Sequence, residues 1–108
     1  MLVELSIMPL GGDTHVSAEI AKALELIDGS GLPYQLTASA TLIEGEWDEV
    51  MPLIRHCHER VRRLSPHVIT HIKIEDDEGE RNKLTSNIAS VEEKLGRPLK
   101  SGPRIPVR

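Results

Sequence analysis

Val68-Ile69-Thr70-His71-Ile72-Lys73-Ile74-Glu75 is the segment from which the topology can be read. β-branched residues dominate it, and its side chains alternate. Val68, Thr70, Ile72 and Ile74 share one side, while Ile69, His71, Lys73 and Glu75 share the other. A period of two predicts a strand whose two faces meet different surroundings. Upstream, Ser65-Pro66 ends a helix, because the residue before a proline is pushed out of the helical region. That helix carries the apolar stripe Val50, Ile54, Cys57, Val61 and Leu64, with Asp48 and Glu49 suited to its first turn. Pro52 removes one of its hydrogen bonds unless it lies in the first turn.

Before that helix, Thr41 to Gly45 reads as one strand and Tyr34 to Ala40 as another. Tyr34, Leu36 and Ala38 point one way, Gln35 and Thr37 the other, with a turn near Ala38–Ala40. Gly29 and Gly31 close an earlier helix whose stripe is Val16, Ile20, Ala23, Leu24 and Ile27. Asp13 or Thr14 is placed to cap it. The first strand is Leu2 to Met8, with Val3, Leu5 and Ile7 facing away from Leu2, Glu4, Ser6 and Met8. Pro9, Gly11 and Gly12 are expected to break it. Downstream of Glu75, an acidic turn at Asp76-Asp77-Glu78-Gly79-Glu80 leads to a helix from about Thr85 to Leu95. Its stripe is Ile88, Val91 and Leu95, and Gly96 stops it.

The order β-α-β-β-α-β-α predicts an α+β fold: a ferredoxin-like βαββαβ sandwich with an antiparallel sheet and an extra C-terminal helix. Residues 2–96 form the domain and residues 97–108, with three prolines, a tail. Two helices cover one sheet face. The other is open and collects Leu2, Glu4, Ser6, Met8, Gln35, Thr37, Ile69, His71, Lys73 and Glu75. This mixed face is expected to serve oligomerisation and a small-ligand site at the seam.

Composition narrows the function. The chain has 108 residues, a net charge of −4, and only Tyr34 and Trp47 as aromatics, with no Phe. A nucleic-acid surface needs a basic footprint and rings for stacking, so nucleic acid is not an expected partner. No apolar run is long enough for a transmembrane helix, Glu4 interrupts any signal-like start, and a cytoplasmic protein is expected. One cysteine leaves no disulfide framework. A core this small and poor in rings would gain from a subunit interface.

Other motifs carry plainer readings. His56-Cys57-His58 cannot converge on one ion, since consecutive helical residues point about 100° apart. Cys57 lies on the apolar stripe, which predicts a packed, inert thiol. His15 falls near the first turn of the first helix and His67 in a loop. No metal-ligand spacing or nucleophile–base pair occurs, so neither a metal nor a catalytic residue is assigned. Gly11-Gly12 lacks the glycine pattern of a phosphate loop. The 76–80 run lacks calcium-loop spacing. Trp47 is expected to pack the second helix against the sheet or an interface.

Five segments, in order, resemble a known family: Glu4-x-Ser6-Ile7-x-Pro9-Leu10-Gly11; Gly31-Leu32-x-Tyr34-x-Leu36-Thr37; Ile43-Glu44-Gly45-Glu46-Trp47-Asp48-Glu49-Val50; Cys57-His58-Glu59; and Ile72-Lys73-Ile74-Glu75-Asp76. Together they look like the YkoF-like thiamine-binding family of small ferredoxin-like domains, from about Val3 to Leu95. The resemblance implies a homo-oligomer, at least a dimer and often a tetramer. It also implies binding of thiamine (vitamin B1) or its hydroxymethylpyrimidine part, with no known reaction and no further cofactor. The family's fourth strand tends to run into Asp-Asp-Arg, whereas this chain has Glu75-Asp76-Asp77-Glu78-Gly79.

An aminopyrimidine asks for acceptors at its exocyclic amine, donors or a shared proton at its ring nitrogens, and a flat apolar wall. Glu4, Ser6, Gln35 and Thr37 supply polar groups, and Met8 or Ile69 a wall. Glu4 or Glu44 would favour a positive thiazolium. Thr41, His71 and Lys73 complete the candidate binding set. On patterning alone these residues could instead line a wet sheet face, with Glu4 paired to Lys73 or His71. The expected function is a carrier, buffer or sensor for the vitamin. An enzyme of pyrimidine or cofactor metabolism and a purely structural oligomer are the alternatives.

Overall fold

In a computed structural model, residues 1–11, 16–79 and 81–101 are described. The elements are β1 (Leu2–Leu10), α1 (Val16–Gly29), β2 (Tyr34–Leu36), β3 (Thr41–Glu44), α2 (Trp47–Leu64), β4 (His67–Glu75) and α3 (Lys83–Leu95). The strands form one sheet in the order β2-β3-β1-β4, and every neighbouring pair is antiparallel. This is the small α+β architecture read from the sequence. The capping residues Asp13 and Thr14, His15, Gly12 of the glycine pair, and Glu80 lie outside the described residues.

The core follows strand parity. Val3 and Leu5 of β1 and Ile43 of β3 face α1 and α2, where Ala23, Ile27, Val50, Ile54, Cys57 and Val61 are buried against them. Burying branched side chains of this size contributes about 1.5–3 kcal/mol each. Leu64 departs from the expected stripe and is exposed, because it closes the last turn of α2. At the other end of α2 the Glu46 N–H donates to Glu49 Oε1 at 3.0 Å. Pro52 lies in the second turn of α2, where its N–H would have met the Asp48 carbonyl. His58 Nδ1 and Thr70 Oγ1, 2.6 Å apart, tie α2 to β4.

Several expectations are corrected. β1 runs through Pro9 to Leu10 instead of ending at Met8. It pairs with β3 only from Leu2 to Leu5, so from Ser6 onward that side of β1 is an edge, where proline is tolerated. β2 stops at Leu36 instead of Ala40. Thr37 ends it: its N–H and Oγ1 both donate to the Ala40 carbonyl, and Oγ1 accepts the Ala40 N–H. His67 opens β4 and is not in a loop. Trp47 is 56% exposed, not packed under α2. α3 begins at Lys83, two residues early, after Asn82 in the left-handed region, and Gly96 closes it at φ 73°.

α3 changes the open face most. It does not extend beyond the sheet but lies over the β2–β3 half. The chain reverses at Gly96 and returns beside α3. There the Leu99 N–H donates to Glu92, and Gln35 Nε2 donates to the Ser101 carbonyl at 3.2 Å. Residues 97–101 are thus held to the domain, and the rest of the expected tail, 102–108, lies outside the described residues.

Candidate functional site

The β1–β4 register builds the site. Glu4 stands opposite Lys73 and Ser6 opposite His71, all four on the face away from α1 and α2. They line a concavity of about 410 Å³, with Ser39 and Ala40 from the β2–β3 turn at its rim. Two strands and a turn therefore bring a carboxylate, an ammonium, an imidazole and two hydroxyls together.

These groups are unspent. The described ion pairs are Arg55–Glu59 and Lys83 with Glu75 and Asp77. The Glu4–Lys73 and Glu4–His71 pairings considered from the sequence are not formed. Among the described residues Glu4 and Lys73 make neither an ion pair nor a side-chain hydrogen bond. Glu4 is half-buried beside a neighbouring cation, so its carboxylate is accessible to a ligand without being fully solvated.

The other residues of the expected set go elsewhere. Met8 lies next along β1, opposite Ile69, and both are exposed on the same face beyond the concavity. Gln35 is also on this face, but its amide holds Ser101. Thr37 is committed to its turn. Thr41 is 6% exposed and faces the core, where it lines a small cavity of about 40 Å³ between β1 and α1. Strand parity explains this: Thr41 pairs with Leu5, a core residue. Glu44 is 8% exposed, and its two oxygens accept the N–H groups of Lys83 at 2.6 Å and Leu84 at 3.2 Å. Its charge is spent on the positive end of α3 and is not free for a thiazolium.

Two features escaped the sequence reading. Ser39 reaches the site because β2 is short and its turn folds toward β1. A second, wider cleft of about 930 Å³ opens between α3 and β2, with Leu36, Leu84, Ile88 and Ala89 among its walls. It exists because α3 sits on the sheet, which hydrophobic periodicity could not reveal.

The rest of the chemistry is sparse. The Cys57 thiol is fully buried, its Sγ lies 3.5 Å from the Ala23 carbonyl, and burial pushes its pKa up to about 11. That matches the expected inert thiol. No group of three or more potential metal ligands occurs among the described residues. No helix among them is long and apolar enough to cross a membrane.

Comparison with known proteins adds the context. The model of the family described as "Thiamine-binding protein" matches residues 3–92. A UPF0045 protein of Mycobacterium tuberculosis is 36% identical over 99 residues, covering 91% of this chain and 97% of its own length. The UPF0045 protein YqgV of Bacillus subtilis is 34% identical over 100 residues, with 87% and 96% covered. Among solved structures, the hypothetical protein MJ1052 of Methanocaldococcus jannaschii superposes with a TM-score of 0.78 at 27% identity, over 85% of this chain and 95% of that one. A candidate thiamine biosynthesis/salvage protein from Thermotoga maritima superposes with a TM-score of 0.68 at 22% identity, over 88% and 94%, which shows a shared fold.

Proposed function

The chain belongs to the thiamine-binding protein family, and from that premise we propose that it binds thiamine or its hydroxymethylpyrimidine part in the Glu4–Ser6–His71–Lys73 concavity without converting it. The observation that carries this reading is the unpartnered Glu4 carboxylate on a sheet face whose other carboxylates, Glu44 and Glu75, are already engaged. It can accept from the exocyclic amine or share a proton with a ring nitrogen. Ser6 and His71 supply the hydrogen-bond donors that ring nitrogens need.

The protein works as a carrier, buffer or sensor in the cytoplasm, as a homodimer or a tetramer built from two dimers. Supporting the assembly, Met8 and Ile69 are exposed on the open face, and Ile72 and Ile74 are exposed on the other face of the edge strand β4. An uncovered edge strand with apolar side chains is a surface that proteins ordinarily bury.

Glu4→Gln, measured by calorimetric titration with thiamine and with hydroxymethylpyrimidine and by light scattering, tests the reading. A charge-assisted hydrogen bond is worth about 1.5–3 kcal/mol. Affinity should therefore fall about tenfold to a hundredfold with the oligomer intact. Unchanged affinity per site with a loosened oligomer would make Glu4 an interface strut and overturn the assignment. A monomer at micromolar concentration would overturn the assembly, and a new product in the titration mixture would move the protein to the enzymes.

A further inference from the structure

The site offers more charge than thiamine uses. Glu4 and Lys73 are direct cross-strand neighbours, which sets their Cβ atoms about 4.5–5.5 Å apart, yet neither is paired among the described residues. The nearby acids are already engaged. Glu75, two residues along β4, is bound by Lys83, and Glu44 caps α3. One free carboxylate and one free ammonium therefore stand side by side. His71, Ser6 and the turn residue Ser39 add further donors around them.

A ligand that is only cationic gains from Glu4 but meets Lys73 as a like charge. A neutral aminopyrimidine leaves Lys73 unused. The matching ligand has an amine and an anion close together. Hydroxymethylpyrimidine carries its amine and its hydroxymethyl arm on adjacent ring carbons. Phosphorylating that arm places nearly two negative charges and several strong acceptors beside the amine. In a thiamine phosphate the phosphate hangs from the other ring, at the far end of the molecule, and the spacing does not match.

We propose that this concavity takes the pyrimidine as its phosphate monoester, with Lys73 and Ser39 receiving the phosphate and Glu4 the exocyclic amine. The inference rests on the binding reading given under Proposed function and names the ligand form that the same site selects. Charge-assisted bonds from an ammonium and hydroxyls to phosphate oxygens are among the stronger contacts a wet site can make.

Calorimetric titration of the intact chain with hydroxymethylpyrimidine, its phosphate, thiamine, thiamine monophosphate and inorganic phosphate tests it. The pyrimidine phosphate should bind at least tenfold more tightly than the unphosphorylated pyrimidine and than thiamine monophosphate, with inorganic phosphate far weaker. Lys73→Met should remove that preference, so that the pyrimidine and its phosphate bind it within about twofold of each other. Lys73→Arg, which keeps the charge, should retain most of it. Circular dichroism and light scattering show whether each variant is folded and assembled, and the wild-type ligand series decides the matter without any variant. Equal binding of the two pyrimidine forms, tighter binding of thiamine monophosphate, or a preference that survives in a folded Lys73→Met would overturn the proposal and leave the proposed function standing. If none of the pyrimidine ligands or thiamine binds, both fall.

Discussion

The carboxylate of Glu44 accepts the backbone N–H of Lys83 at 2.6 Å, so a strand side chain caps a helix that begins 39 residues later. Its other oxygen takes the N–H of Leu84. Asn82, which precedes the helix, adopts a left-handed backbone and contributes no side-chain cap. α3 buries none of its residues fully, so this contact is one of the main ties holding it to the sheet.

Glu44→Ala should therefore detach α3 before it unfolds the domain. Loss of a helix cap costs about 0.5–2 kcal/mol. Amide hydrogen exchange should accelerate across Lys83–Leu95 while the amides of Val50–Val61 keep their protection. Equal acceleration in both segments would show that α3 is not a separately held unit.

Gly45→Ala should destabilise the whole fold. A Cβ at Gly45 would lie 3.0 Å from Val50 Cγ2 and 3.4 Å from Leu32 Cδ2. Val50 is fully buried and cannot step aside. Overpacking of this kind costs about 1–3 kcal/mol, readable as a lower urea midpoint at unchanged slope. An unaltered midpoint would mean that the β3–α2 junction can relax.

Cys57 should make stability fall in mild alkali. Its folded pKa is raised from 9.0 to about 11 by burial alone. Between those values the unfolded chain releases the thiol proton and the native protein keeps it, so the unfolded state binds fewer protons and stability declines as pH rises. The contribution is fully present below pH 9, and Cys57→Ala should flatten that part of the profile. In the native protein at pH 8, an alkylating reagent should modify Cys57 only as fast as the protein opens. Rapid labelling without unfolding would contradict its burial.

The arrangement of elements was legible because alternation and helical stripes report local periodicity directly. Val3, Leu5 and Ile43, and the Val50–Val61 stripe, went to the core as their spacing requires. Parity also placed Glu4, Ser6, His71 and Lys73 on the opposite face. Parity says nothing of where a strand ends or of side chains that meet distant backbone. Thr37 looked like a strand residue but closes a turn. Thr41, read as part of the binding set, sits opposite Leu5 and so faces the core. Trp47 looked like a packing residue, yet it occupies the exposed first turn of α2.

Sequence alone determined which residues could share a face, because that follows from backbone geometry within each element. It determined the split βαβ order and the family features carried by residues 3–92. Tertiary structure decided which of those residues are free to act. Register set Glu4 against Lys73 and Ser6 against His71. The docking of α3 consumed Glu44, and the return of residues 97–101 consumed Gln35. A side chain's availability depends on groups far away in the chain, and contacts at separations such as 39 or 66 residues leave no periodic trace in the sequence.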